Sequence, residues 1–216
     1  MGFLKADQIY KYRAHPWHGI DLGKKAPMQV RCYIETVPTD RLKYELDKDS
    51  GILRIDRPLK YSNYCPTLYG LLPKTYCGRR VGEFCAKQSK FSKLDGDGDP
   101  LDICVLSEKP IIRGDILADV RPIGGLRVID GDLADDKIIA VLVGDHVHGS
   151  CQDISQCSEH LIDCLIHYFL TYKDHPGKTE EKKINILGTY DCEEARKVIC
   201  YAQEDYEEFY KDLQES

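Results

Sequence analysis

The residues with the most evident chemistry form an acidic run, with four carboxylates in the eight residues from Asp95 to Asp102. In an extended chain, residues two apart point to the same face, so Asp95, Asp97 and Asp99 would repel one another. Pro100 then fixes φ and bends the chain, which lets Asp102 approach the same space. Clustered carboxylates destabilise a fold unless a cation compensates them, and their oxygens suit Mg²⁺, Ca²⁺ or Mn²⁺. The run therefore indicates a candidate metal site.

An EF-hand loop and a solvated acidic loop are the alternative interpretations of this run. An EF-hand loop needs Gly at its sixth position and Glu at its twelfth, where this chain has Pro100 and Leu106. A solvated acidic loop is disfavoured because Asp102 lies inside the apolar pattern of a buried strand, Leu101 to Leu106. A metal site remains the better prediction.

Further charged residues could join the acidic run. A second group of acids, Asp130, Asp132, Asp135 and Asp136, precedes Lys137, and alternation predicts that Asp135 and Lys137 share a face. The remaining candidates are Glu35, Lys43, Glu45, Arg57 and Lys173. Glu35, Lys43, Glu45 and Arg57 are expected on neighbouring strands of one sheet, where exposed cross-strand ion pairs are the simpler alternative. If all these residues assemble, metal cations would satisfy the acids and an anion would satisfy the bases. Phosphates bridged by Mg²⁺ meet both needs.

The elements that must position these residues follow from periodicity. Alternating residues predict strands over Met28–Val37, Arg41–Asp47, Ile52–Arg57, Leu101–Leu106, Asp115–Ile123, Leu126–Ile129 and Ile138–Val143. Helical spacing predicts helices over Ser158–Tyr172 and from Asp191 onwards, with a short strand-like run at Lys182–Gly188 between them. Strands followed by helices predict a closed or nearly closed barrel with helices packed outside. The polar segment Cys77–Leu94 shows no period and is expected to be a surface excursion.

Composition limits the classes of function. The chain has 216 residues, 42% hydrophobic residues and a net charge of −6. The acidic balance argues against nucleic-acid and anionic-membrane binding, and no apolar run is long enough to span a membrane. The ten cysteines lack C-x-x-C spacing, so we expect reduced, mostly structural thiols in the cytoplasm, and His146 with His148 forms no credible metal pair.

Several short sequence motifs that contain these candidate residues follow one another along the chain. They are Y-I-E with Glu35, K-Y-E-L-D-K-D-S-G with Lys43 and Glu45, I-D-R with Arg57, L-Y-G with Tyr69, D-G-D-P-L-D from Asp97 to Asp102, the segment with Asp130, Asp135 and Lys137, and H-Y-F-L-T-Y-K-D with Tyr172 and Lys173. In this set the chain resembles the soluble family I inorganic pyrophosphatases over roughly residues 28 to 210. The resemblance implies an OB-like five-stranded barrel with flanking C-terminal helices, a β-rich α+β fold. It also implies Mg²⁺-dependent hydrolysis of pyrophosphate to two phosphates by metal-activated water.

The resemblance implies a role for each matched residue. Asp97, Asp102 and Asp135 would hold activating Mg²⁺ ions, several per site. Asp130 would join Asp135 on a substrate-borne metal, Glu35 would act through water on a further metal, and Glu45 would support Lys43. Asp99 would be the general base. The groups expected to bind the phosphoryl groups are Lys43, Arg57, Tyr69, Lys137, Tyr172 and Lys173.

Two departures from the family pattern concern the loops. Cys65-Pro66 stands where the family usually has Tyr-Pro, so Cys65 is either a modifiable thiol at the site edge or a buried, inert residue. The segment 71–94 is longer than in many bacterial relatives and is expected to be a surface insertion in one domain spanning 1–216. Asp95 has no assigned role. A homo-oligomer is expected, and the competing hypothesis is a non-catalytic metal- or anion-binding OB module.

Overall fold

The computed structural model describes residues 14–173 and 184–211. Its strands are β1 Val30–Thr36, β2 Leu42–Leu46, β3 Leu53–Pro58, β4 Leu68–Leu71, β5 Asp95–Gly96, β6 Asp102–Leu106, β7 Ile116–Asp130, β8 Leu133–Ala134, β9 Lys137–Leu142 and β10 Ile184–Asp191. Its α-helices are α1 Arg79–Ser89, α2 Glu159–Thr171 and α3 Cys192–Phe209.

Five of these strands close into a ring. β1 pairs with β4, β4 with β6, β6 with β9, β9 with β7, and β7 with β1 again. The β6–β9 pair is parallel and the other four pairs are antiparallel. β10 extends the ring along β7, and β2 with β3 forms a separate hairpin. The expected β-rich α+β fold, with five central strands and C-terminal helices packed against them, is confirmed.

The ring buries side chains on both of its faces. Ile103 and Val105 of β6 join a core cluster that also contains Val198 of α3. Their neighbours Cys104 and Leu106 join a second cluster that contains residues of α2. Because successive side chains of a strand point to opposite faces, both faces of β6 need apolar residues. This explains why residues Ile103–Leu106 are continuously apolar rather than alternating.

The sequence located most strands and missed some features. The strand expected at Met28–Val37 is β1, and those at Arg41–Asp47 and Ile52–Arg57 are β2 and β3. The prediction of two strands between 115 and 129 was wrong, because β7 runs unbroken through a bulge between Pro122 and Gly124. β4 was missed within a loop, and β2 and β3 are not in the sheet of β1. Lys182 and Lys183, at the start of another predicted strand, lie outside the described residues.

The prediction that Cys77–Leu94 stays outside the core was wrong. Residues 79–89 form α1, whose buried face consists of Val81, Gly82, Cys85 and Ala86. The first turn of α1 is capped from α3, because the Asp205 carboxylate accepts hydrogen bonds from the backbone N–H groups of Gly78 (3.2 Å), Arg80 (3.1 Å) and Val81 (3.1 Å). This contact satisfies N–H groups that a helix leaves unpaired. α1 is therefore an integrated helix with one buried face.

The two C-terminal helices follow the sequence prediction closely. Asp191 is the N-cap of α3, and its side chain accepts a hydrogen bond from the Glu194 backbone N–H at 2.8 Å. Over the described part of the chain, none of the helices is both long and apolar enough to cross a membrane.

Candidate active site

A single cavity collects almost all the residues proposed from the sequence. It lies between the ring, the β2–β3 hairpin and the C-terminal end of α2. Of the predicted residues, those that line it are Glu35, Lys43, Glu45, Tyr69, Asp97, Asp99, Asp102, Asp130, Asp135, Lys137, Tyr172 and Lys173. Arg57 is the exception, although its guanidinium lies 6.0 Å from the ring centre of Tyr172. Residues far apart in the sequence thus meet in one place.

The acidic loop is held in place by the segment before α1. The backbone N–H of Cys77 donates to the carbonyl of Asp99 at 2.8 Å, and that of Gly98 donates to the carbonyl of Cys77 at 3.0 Å. A Cβ on Gly96 would collide with the backbone of Cys77, so only glycine permits this close approach. Within the loop, the Asp97 carboxylate accepts a hydrogen bond from the Asp99 N–H at 3.0 Å. The segment expected to be a surface excursion therefore supports the acidic loop.

The centre of the cavity is a buried cation among carboxylates. Lys137 donates hydrogen bonds to both Asp102 and Asp135, and Asp102 also accepts one from the Tyr69 hydroxyl at 2.5 Å. The parallel register pairs Asp102 with Lys137 at the start of β6 and β9, which brings them side by side. Burial alone would lower the pKa of Lys137, but Asp102 and Asp135 outweigh it and hold that pKa well above its usual value. Lys137 is therefore held in its charged form by these carboxylates.

The carboxylates carry more charge than Lys137 compensates. Burial and the nearby Asp135 raise the pKa of Asp97 to about 8. Burial also raises the pKa of Asp135, an effect that Lys137 opposes. Three carboxylates, Asp97, Asp102 and Asp135, surround this one ammonium group, so a further cation would be stabilised here.

The donor chemistry fits hard divalent cations, which bind carboxylate oxygens. Among the residues that the structure describes, no three His, Cys, Asp or Glu side chains form a ready-made ion-binding group. Lys137 already bonds to Asp102 and Asp135, so its ammonium group must share these oxygens with any metal or move away from them.

The β2–β3 hairpin brings basic residues to the cavity. Lys43 pairs in register with Arg57, and both contact Asp56, at 3.0 and 2.7 Å. The Lys43 ammonium also lies 3.9 Å from Glu45. Glu35 of β1 is buried, and it accepts a hydrogen bond from the Leu46 N–H at 2.7 Å. Burial raises the pKa of Glu35 to about 8.

The end of α2 adds a second basic group. The Lys173 ammonium donates to Asp130 at 2.7 Å and lies 5.3 Å from the ring centre of Tyr172. Asp130 ends β7, so this contact joins the helix to the second acidic group. Acidic and basic side chains thus line the same cavity.

Three residues qualify the sequence interpretation. Lys48 lines the cavity and bonds to Asp99, yet it was not singled out, although it lies in the quoted K-Y-E-L-D-K-D-S-G motif. Asp95 is exposed and contacts Lys93 at 3.4 Å, away from the cavity lining.

Cys65 is buried among apolar side chains, and burial raises the pKa of its thiol to about 11. The alternative of a buried thiol is therefore the correct one for Cys65, and a thiol at the site edge is wrong.

Comparison with known proteins identifies the family. The family model described as "Inorganic pyrophosphatase" matches residues 32–207. The chain belongs to the inorganic pyrophosphatase family. An inorganic pyrophosphatase of Chlamydia trachomatis serovar L2 is 55% identical over 196 residues, which cover 89% of this chain and 94% of the relative. Soluble inorganic pyrophosphatase 3 of Arabidopsis thaliana is 34% identical, covering 91% of this chain and 80% of the relative.

Solved structures agree with this assignment. The crystal structure of the Thermus thermophilus inorganic pyrophosphatase aligns with a TM-score of 0.73 at 29% identity, covering 90% of this chain and 99% of that one. The Helicobacter pylori inorganic pyrophosphatase gives a TM-score of 0.71 at 30% identity, covering 87% and 98%. The resemblance to soluble family I enzymes is confirmed, and so is the enzyme class, a hydrolase of the phosphoric anhydride bond in pyrophosphate. These findings disfavour the non-catalytic binding module.

Proposed function

We propose that the cavity binds pyrophosphate together with several Mg²⁺ ions, and that water attacks phosphorus directly. Inorganic pyrophosphatases of family I are metal-dependent in general, and we propose that Mg²⁺ is the metal that this protein uses. The supporting observation is the excess of carboxylates around Lys137, with a second basic set at Lys43 and Lys173. When bound, Mg²⁺ would neutralise phosphate charge and make a water more acidic.

The carboxylates divide into ligands and a base. Asp97, Asp102 and Asp135 are the proposed ligands of the activating ions, because they are the acids grouped around Lys137. Asp130 and Asp135 would share a substrate-borne ion, and Glu35 would act through water. Asp99 is the proposed general base. The Asp99 carboxylate forms an ion pair with the Lys48 ammonium, and this pair has to open before Asp99 can accept a proton.

The basic and phenolic groups would bind the two phosphoryl groups. Lys43, supported by Glu45, and Arg57 come from the hairpin. Lys137 and Tyr69 come from the ring, and Tyr172 and Lys173 from the end of α2. Positive charge placed where the leaving phosphate gains charge lowers the barrier. No nucleophilic side chain is needed, and a rapid acid quench with labelled pyrophosphate should trap no phosphorylated protein. A trapped phosphorylated residue would refute direct attack by water.

The role of Asp99 can be separated from that of Asp102. Removing a general base typically lowers the rate by about 10²–10⁴-fold. We expect Asp99→Asn to lose kcat but to retain the Mg²⁺ affinity of the parent by calorimetric titration. Asp102→Asn should lose both, because it removes a proposed ligand. Asp95→Asn, which changes an exposed carboxylate outside the cavity, is the matched control and should match the parent.

Two outcomes are decisive for this proposal. Equal loss of Mg²⁺ affinity in the Asp99 and Asp102 variants would overturn the division of roles. Release of phosphate from pyrophosphate that persists in the presence of a chelator would overturn the requirement for a divalent cation. We further infer a homo-oligomer in the cytoplasm, to be tested by light scattering and by fractionation of source cells.

A further inference from the structure

Tyr168 lies in the cavity lining but has no role in the scheme above. It belongs to α2, one turn before Tyr172, so both side chains lie on the same helix face. Its ring stacks on Tyr172 with centroids 5.2 Å apart and meets Phe169 edge-on at 5.1 Å. Packing on two sides fixes the position of the ring.

The hydroxyl of Tyr168 has no protein partner within residues 14–173 and 184–211. A buried tyrosine usually hydrogen-bonds its hydroxyl. Four polar atoms of these residues are sealed from solvent without a partner, among them the Tyr190 hydroxyl, and the Tyr168 hydroxyl is not one of them. The Tyr168 hydroxyl therefore meets solvent, although the residue as a whole is only 9% exposed. Tyr168 lines the cavity, which offers its hydroxyl such an opening.

The surroundings of Tyr168 favour an anionic partner. Arg57 is close enough to act electrostatically on Tyr168, and Lys173 follows Tyr172 at the end of the same helix. Burial raises the pKa of Tyr168 well above its usual value, followed by the effect of the adjacent Cys65 thiol. The phenol is consequently protonated at neutral pH and can donate a hydrogen bond.

We propose that Tyr168 donates a hydrogen bond to a phosphoryl oxygen of bound pyrophosphate. This inference rests on the proposed function of the cavity. It also bears on Cys65, which stands where the family usually has a tyrosine. The short side chain of Cys65 is buried beside Tyr168 and does not line the cavity. The loop that carries Cys65 supplies no hydroxyl at that residue, whereas the facing helix does.

The test is the variant Tyr168→Phe, which removes only the hydroxyl and retains the packed ring. Its matched control is Tyr201→Phe on α3, whose ring packs against Phe84 at 5.2 Å outside the cavity. Binding of methylenediphosphonate, a non-hydrolysable analogue, is measured by calorimetry with Mg²⁺ present, and kcat and KM are measured with pyrophosphate. One hydrogen bond to a charged group predicts roughly ten- to hundredfold weaker binding and a higher KM for Tyr168→Phe. Tyr201→Phe should match the parent.

A merely structural role gives a different pattern. In that case Tyr168→Phe would lower the melting temperature while analogue affinity and KM stay at the parental values, and the inference would be wrong. Lys137→Met separates this failure from failure of the proposed function. If the parent and Lys137→Met bind the analogue equally, the cavity is not the substrate site and both proposals fall. If only Lys137→Met weakens binding, the cavity stands and Tyr168 has no contact with the ligand.

Discussion

Substituting Arg127 should destabilise the protein through Asp136, the residue between Asp135 and Lys137. The Arg127 guanidinium bonds to Asp136 and to Glu194 of α3, and the side chains of Arg127 and Asp136 are 7% and 0% exposed. The rings of Tyr190 and Phe84 lie 4.7 and 5.5 Å from the guanidinium. This buried pair ties the turn that carries two proposed site residues to α1 and α3.

The magnitude follows from what Arg127→Met leaves behind. Asp136 would retain a hydrogen bond from the Val128 N–H at 3.2 Å but would lose its cation. Breaking a buried pair from one side costs about 3–5 kcal/mol, because the remaining charge stays buried. Burial raises the pKa of Asp136 to about 7 even though Arg127 opposes this, so removing Arg127 raises that pKa further. A protonated Asp136 avoids the charge penalty, so the destabilisation should be smaller at pH 6 than at pH 8.

Urea unfolding at pH 6 and pH 8 measures these quantities. Arg54→Met is the matched control, since Arg54 is 63% exposed and contacts Asp47 at only 3.5 Å. It should change the free energy of unfolding by less than about 1 kcal/mol. The double variant Arg127→Met/Asp136→Leu should recover much of the loss. The reasoning fails if Arg127→Met is as stable as Arg54→Met at both pH values, or if the double variant is no more stable than Arg127→Met.

Three further predictions concern single residues. Lys48→Gln should change the free energy of unfolding by less than about 1 kcal/mol, since the Lys48–Asp99 pair is half exposed. It should still lower kcat/KM about tenfold, because Lys48 lines the cavity and its positive charge would no longer attract the anionic substrate; equal activity of parent and variant would contradict this. Burial, and to a lesser extent His15, lowers the pKa of His18 to about 4, so the unfolded chain binds a proton that the folded chain does not as the pH drops from about 6.5 to 4. Because His18 is partly exposed and solvent screens the effect, the free energy of unfolding should fall by only about 1–2 kcal/mol over this range. His18→Gln should flatten this pH dependence of the melting temperature, and an unchanged slope would exclude His18 as its source. Cys65 should resist a thiol reagent in the folded protein and react only in denaturant, as peptide mapping can check.

Much of the site was predictable because its residues lie in local patterns. The alternation around Asp135 and Lys137 predicted that their side chains share a face. In the structure Lys137 forms ion pairs with both Asp135 and Asp102. Asp102 was expected at a buried strand, and it begins β6. Such inferences need only the two-residue period of a strand and the chemistry of carboxylates.

The helix α1 was not predictable from the same rules. Its buried face consists of small residues, among them Gly82 and Cys85, which give a weak apolar pattern. Gly82 is required because a Cβ there would lie 2.5 Å from the Leu94 carbonyl oxygen. The capping carboxylate, Asp205, is more than a hundred residues away in the sequence, so local rules for helix N-termini could not find it.

The central contact of the cavity depends on strand register, which no local pattern specifies. Asp102 pairs with Lys137 because Ile103 lies opposite Ile138, and both isoleucines are fully buried. A slip of one residue would exchange Ile138 and Ile139 between the two core clusters, and both clusters accept apolar side chains. The same slip would turn Lys137 to the other face of the sheet, away from Asp102. A buried ammonium group without a carboxylate partner is costly, so the position of Lys137 helps to select the register. The register in turn places the cation among the carboxylates.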